Sequence, residues 1–297
     1  MSNTLTNIKD IKVAQRALMP FTANLLPVTA FSTNFGPQQA DKGDTVRVPL
    51  VGAPSGSSDF AGDYTANADS TVTTIPVTLS RHKFKTVHVT AREASETAMD
   101  LLDTLVETAA QQLAQDVLLD IMSVISLANF GAPLPAVAAT NFDYKKVLNI
   151  REECGKVKMP ASPRSLVLDA GHYTNLLADD VVAKSFNMNL SAPGVTEGLI
   201  KRLAGFDLHE TVVIPADHAE KLVGFAVHPS AVAVAMRYLV PVAEYQQSGA
   251  VTDPQTGMTF GYLRFTDTRA NKVFVTIECL YGFTVGKTDA LKRIVKP

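Results

Sequence analysis

Gly282-Phe-Thr-Val-Gly286-Lys287-Thr288 is the stretch of this 297-residue chain that comes nearest to a catalytic motif. A phosphate-binding loop needs G-x-x-x-x-G-K-[ST], with backbone amides curling around phosphates between a strand and a helix. Here the spacing is one residue short and Phe-Thr-Val continues a β-patterned run, so a strand end is expected. His172, His209, His218 and His228 fall in one segment of mixed texture. Their spacings match no common metal-ligand pattern, so isolated surface or core histidines are expected. Asp179 and Asp180 are adjacent; on a helix neighbours point roughly 100° apart, which suits a helix end better than a shared substrate. Cys154 and Cys279 lie far apart outside any C-x-x-C pattern and read as reduced, buried thiols. Asn189-Leu-Ser191 fits a glycosylation pattern, which carries no meaning without a secretory leader, and Met1–Phe21 lacks the basic-then-apolar order of one. No H-E-x-x-H, G-x-S-x-G or G-x-G-x-x-G occurs. The residues therefore nominate no catalytic, cofactor-binding or metal site and no cofactor, and the chain is expected not to be an enzyme.

The elements that would have to position any such chemistry change texture sharply along the chain. Residues 1–36 carry Ile8, Ile11, Ala14 and Leu18 at helical spacing, then a run punctuated by Pro20 and Pro27. That is too little apolar surface to fold alone, so the segment reads as an arm lying on its own domain or on an adjacent subunit. Residues 37–89 hold two β-patterned runs, Thr45–Val51 and Val72–Leu79, around a stretch rich in Gly, Ser, Asp and Ala. Pro49 and Pro76 each remove a ladder donor, so these strands belong at an edge or in a two-stranded ribbon with a wide tip.

Residues 90–140 give the clearest local signal. Neither Gly nor Pro occurs between Pro76 and Gly131, and Thr90-Ala-Arg-Glu93 has the form of a capping box. Ala98, Leu102, Leu105, Ala109, Leu113, Val117, Ile121 and Val124 fall on one stripe, which predicts a helix from Ala91 to about Leu127. A charge at Leu105 on that stripe is expected to abolish folding. Residues 141–238 alternate short helices (Tyr144–Cys154, His172–Leu177) with strands (Ser165–Asp169, Thr211–Ile214, Leu222–Val227), which reads as an α/β module. Residues 239–297 are β-patterned again, with runs Thr259–Thr266 and Lys272–Val285 after a turn at Thr252–Gly257, and could cover the long helix. The fold class is α+β.

Lys plus Arg total 27 and Asp plus Glu 29, with no basic run of five or more, so only weak, non-specific contact with nucleic acid is expected. No stretch approaches 18 uninterrupted apolar residues, so no membrane partner is expected. Apolar residues make up 46% and charged ones 19%, a balance that suits a subunit whose surface is covered by neighbours.

The order of segments, arm, hairpin, single long helix, α/β module, returning strands, resembles the Hong Kong 97-type coat fold of tailed-phage major capsid proteins. The phrases Gly43–Pro49, His88–Glu93, Ser165–Asp169, Leu203–His209, Val227–Val232 and Glu278–Phe283 resemble ones recurring in such coat sequences. Across essentially the whole chain the resemblance implies an N-terminal arm, an E-loop hairpin, a spine helix in a peripheral domain, an axial domain, and peripheral-domain strands. It implies self-assembly as pentamers and hexamers into an icosahedral shell around phage DNA, in the virion after assembly in the host cytoplasm. Portal, decoration and scaffolding proteins would be partners, the last a separate protein because no long scaffolding segment precedes the arm. On this reading removal of residues 1–30 leaves a folded subunit unable to close shells. A cargo-enclosing bacterial nanocompartment shell shares the fold and is the alternative reading; a small α/β enzyme is a further one.

Overall fold

The computed structural model describes residues 6–50, 73–90, 92–93, 101–187, 200–214, 221–239, 247–254 and 256–297. Helix α1 (Thr6–Leu25) runs through a short 3-10 turn into β1 (Ser32–Ala40). Strands β2 (Thr45–Leu50) and β3 (Thr73–Thr78) follow, then β4 (Arg81–Thr90), α2 (Leu101–Met122) and α3 (Leu127–Phe130). Next come α4 (Tyr144–Lys156), β5 (Ser165–Asp169), α5 (Ala170–Ala178), α6 (Asp180–Asn187), β6 (Arg202–Leu203), β7 (Phe206–Thr211) and β8 (Leu222–Val227). The chain ends with β9 (Val232–Leu239), β10 (Gln247–Thr252), β11 (Thr259–Asp267), β12 (Lys272–Val285) and β13 (Leu291–Val295).

A six-stranded sheet carries the order β1-β9-β12-β11-β10, with β4 beside the first part of β12. Strand β12 is long enough, at 14 residues, to pair β4 over Lys272–Tyr281 on one side and, on the other, β11 over Lys272–Glu278 and then β9 over Leu280–Val285. One face of this sheet is covered by α2. Val106, Ala109, Ala110, Leu113, Ala114, Val117, Leu118 and Ile121 are buried with Phe260, Val275, Ile277 and Tyr281 from the strands. The stripe is thus wider than the sequence pattern suggested, as a helix pressed between a sheet and a second helix must be apolar through more than a third of its circumference.

That second helix is α1. Ala14, Ala17, Phe21 and Leu25 are buried in the same core, and the Phe21 ring meets Phe260 at 5.1 Å. Of the two places expected for the arm, this part lies on its own domain. Pro20 sits inside α1; two turns of small and apolar residues packed on α2 hold the helix through a residue that interrupts its hydrogen-bond ladder.

The α/β module is built on a five-stranded sheet ordered β13-β8-β5-β7-β6, with β5 and β7 parallel and β8 antiparallel to β5. A second core of Phe142, Val147, Ile150, Leu166, Leu168, Phe206 and Ile294 fills it. Sheet membership does not follow the expected segments 141–238 and 239–297. The chain leaves the five-stranded sheet at the Pro229–Ala231 turn, places β9 in the six-stranded sheet, and returns β13 to the five-stranded one. The chain therefore passes between the two sheets three times, and β13 places Ile294 in the module's core and Leu291 in the main core.

Other expectations shift locally. The expected strand Thr211–Ile214 is instead β7, Phe206–Thr211, because Phe206, Leu208 and Thr211 face the core while Val212 is exposed. The long helix stops at Met122, not Leu127. Ile125 donates its amide to Met122, and Ser126 accepts from Asn129 to cap α3. Its capping box forms: Glu93 N donates to Thr90 Oγ1 (3.2 Å) and Thr90 N to Glu93 Oε2 (2.9 Å). Residues 91 and 94–100 between cap and helix lie outside the described residues, as do the hairpin tip 51–72, His218 and Asn189-Leu-Ser191.

Candidate assembly surfaces

Among the described residues the weighed catalytic candidates resolve into structural roles. In the Gly282–Thr288 stretch, β12 continues to Val285, and the amides of Gly286 and Lys287 donate to Ala231 and Ser230 carbonyls (both 2.8 Å). Amides spent on backbone carbonyls cannot cradle a phosphate, and only a three-residue 3-10 turn follows, so the strand-end reading holds. Asp179 accepts from the amides of Tyr144, Val181 and Val182, capping α6, and Asp180 reaches Lys184 one turn on. Although partial burial opposes it, those three hydrogen bonds hold the Asp179 carboxyl below its ordinary range.

His172 is buried, its ring bridging Asp169 Oδ1 (2.6 Å) and the Val137 carbonyl (3.1 Å). Burial works against its charge, but those two partners outweigh it and the pKa rises. His228 bonds Ser230, and burial lowers its pKa; His209, on β7, is lowered by burial as well. No group of three or more His, Cys, Asp or Glu gathers at metal-binding distance among the described residues. Both cysteines are free and buried in separate cores, with burial pushing the Cys279 thiol up to about 12. No helix among the described residues is long and apolar enough to cross a membrane.

The polar chemistry that does converge ties β4 and β12 to the long helix. Asp120 on α2 accepts from Tyr281 Oη (2.5 Å) on β12 and pairs with Arg81 (2.7 Å) and Lys83 (3.7 Å) on β4. Lys83 also donates to the Asp116 carbonyl, and Arg81 lies over the Phe283 ring at 4.6 Å. Burial alone would raise the Asp120 pKa; the bonds from Tyr281 and Arg81 outweigh it and hold the carboxylate charged. Sequence reasoning missed this cluster, since Asp120, Arg81 and Tyr281 are brought together only by the β4–β12 pairing.

Strands β2 and β3 form a separate two-stranded sheet, the ribbon that Pro49 and Pro76 call for. Its root packs Val48, Val77 and Leu79 onto Ala233, Ala235 and Leu280 of the six-stranded sheet, on the face away from α2. Gly282 makes this possible: a Cβ there would stand 2.1 Å from the Thr78 carbonyl oxygen. Among the described residues Met19 on α1 (77% exposed) and Val212 just past β7 (69%) are the most exposed of the large apolar side chains. A shallow cleft lined by Ala23, Pro27, Val212 and Val213 joins the end of α1 to the residues after β7.

No protein-family model matches the sequence, and no curated protein matches it. Solved structures do. A structure of Mycobacterium phage Che8 matches at 18% identity over 85% of each chain, with a TM-score of 0.54. The capsid of Ralstonia phage GP4 matches at 13% identity over 89% of this chain and 86% of that one (TM-score 0.56). A virus-like particle from Pyrococcus furiosus matches at 12% identity over 95% and 97% (TM-score 0.56). The chain has the fold of phage capsid subunits.

Proposed function

We propose that this chain is a structural major capsid protein of a tailed phage with the Hong Kong 97-type arrangement, assembling as pentamers and hexamers into an icosahedral shell around phage DNA. The observation that carries this is the match of nearly the whole chain to phage capsid subunits. The ribbon rooted on the six-stranded sheet supports it, because two strands alone are marginal in water and are stabilised by burying surface on a neighbour. Residues 37–89 then correspond to the E-loop, α2 to the spine helix, and the five-stranded module to the axial domain. The shell belongs to the virion, is assembled in the host cytoplasm, and engages portal, scaffolding and decoration proteins, with only weak non-specific contact to packaged DNA. Its role is structural rather than enzymatic.

The similarity to the Pyrococcus furiosus virus-like particle, over 97% of that chain, supports a second reading, a cargo-enclosing nanocompartment shell. Electron microscopy with sedimentation velocity tests both, on the protein expressed alone and with any scaffolding gene found beside it. Closed shells of uniform diameter are expected, with DNA inside particles from infected cells; a protein cargo instead would favour the compartment. A compact monomer or small oligomer in both preparations would overturn the shell reading.

A further inference from the structure

An open sheet edge is a row of unpaired backbone donors and acceptors, and folded chains cover, shorten or charge such edges. The described edges of this protein are treated that way, with one exception. Strand β1 is covered by the ribbon, Ser32 and Asn34 donating from their side chains to the Pro49 and Arg47 carbonyls (both 3.1 Å). Strand β13 is covered by the segment that donates the Leu134 and Val137 amides to Arg293 and Val295 carbonyls. Strand β6 is two residues long, the ribbon strands contain Pro49 and Pro76, and β4 carries Arg81, His82, Lys83, Lys85 and His88. Strand β10, Gln247-Ser-Gly-Ala-Val-Thr252, has no charge, no proline and no bulge in its register with β11, and no described strand pairs with its outer side.

The hydrogen-bond phase shows which groups point outward. Asp253 N donates to the Met258 carbonyl, so the alternating pairs Val251–Phe260, Gly249–Tyr262 and Gln247–Arg264 are the bonded ones. The amides and carbonyls of Ser248, Ala250 and Thr252 therefore face away from β11. Thr252 and Thr259 meet through their hydroxyls at 2.9 Å, as close side chains in a non-bonded pair do. Beside this edge lies a cleft of about 560 Å³ between β10 and α1, lined by Ala14, Leu18, Val251, Pro254 and Tyr262 among others. A strand laid along β10 would turn every second side chain into that cleft.

We propose that the outer edge of β10 accepts an extended segment from a second copy of this chain, with small or apolar side chains at alternate positions seated against α1. The proposal rests on the shell reading, in which the neighbour available at every edge is another copy. Charge favours the same occupant. A chain close to neutral meets no repulsion at an uncharged edge, whereas pairing at β4 would set cations of two copies together.

The test uses Ala250→Pro, which removes an outward donor but leaves the bonds of Gln247, Gly249 and Val251 to β11, and Ser248→Lys, which places a charge on the edge. Each variant is followed by thermal unfolding and by sedimentation velocity beside the wild type. Both are expected to fold, with an assembly threshold raised about tenfold or more, the scale of one lost hydrogen bond per contact. If Ala250→Pro does not fold, Ser248→Lys decides. Folded variants that assemble as the wild type does would overturn the proposal. Amide exchange on wild-type protein separates it from the shell reading. Protection of Ser248 and Ala250 appearing only on association, even in small oligomers that never close, keeps the edge proposal while the shell reading fails. Unprotected amides in complete shells, or a chain monomeric at every concentration, would overturn it.

Discussion

Asp120 is the residue where β4, β12 and the long helix meet, and its charge is what holds Tyr281, Arg81 and Lys83 to one point. Asp120→Asn keeps the shape but offers an amide where three donors converge, so a loss of about 1–3 kcal/mol in urea unfolding is expected at neutral pH. The carboxyl is held below its ordinary value of 3.8, so its contribution is complete above that pH and disappears as pH falls through the depressed folded value. The gap between wild type and Asp120→Asn should therefore be constant from pH 8 to about 5 and close in stronger acid. A gap independent of pH down to full protonation would show that shape, not charge, matters there. None of this was legible in the sequence, where Arg81, Asp120 and Tyr281 stand far apart and only strand register aligns them. What was legible at this scale was local: the Thr90–Glu93 capping box and the terminal role of Asp179 both follow from hydrogen bonds within a few residues.

The long helix shows how far a pattern of spacing reaches. Ala109, Leu113, Val117 and Ile121 are buried as the stripe requires, but Leu105 is half-buried at its flank while neighbouring Val106 is fully buried. A charge at Leu105 can reach solvent; one at Val106 cannot. Val106→Asp is expected to prevent cooperative folding, whereas Leu105→Asp should stay folded with a lowered midpoint, measured by circular dichroism on heating. The reverse order would mean that the helix is rotated from the arrangement described here. The spacing did not disclose the wider face because the covering partner, α1, comes from the other end of the segment order. Strands β1 and β4 went unread for a similar reason: Asn, Gly, Pro and Gln in one and a run of cations in the other hide the alternation that pairing with β9 and β12 imposes.

At the scale of the whole molecule, α1 changes the meaning of the N-terminal segment. Removing residues 1–30 takes Ala14, Ala17, Phe21, Leu25 and Val28 out of the main core and uncovers α2. Fully burying each large apolar side chain is worth about 1.5–3 kcal/mol, so the truncated chain is expected to aggregate or remain unfolded, not to persist as an assembly-defective soluble subunit. Expression followed by size exclusion and circular dichroism checks this; a monodisperse, cooperatively melting truncated subunit would show that α1 is dispensable to the fold.

Composition, periodicity and the order of segments were enough to give the α+β class, the ribbon demanded by Pro49 and Pro76, and the long helix α2, but not α1, a second helix of nearly the same length. These depend on neighbours in sequence, and helix and strand periods, caps and proline geometry act over a few residues. Which face of the sheet the helix covers, where α1 lies, that β9 and β13 exchange sheets, and that among the described strands β10 keeps an uncharged outer edge were settled by tertiary structure. Those features depend on pairings between strands far apart in sequence, such as β1 with β9 and β4 with β12, and no local pattern encodes which distant strand a given edge will meet.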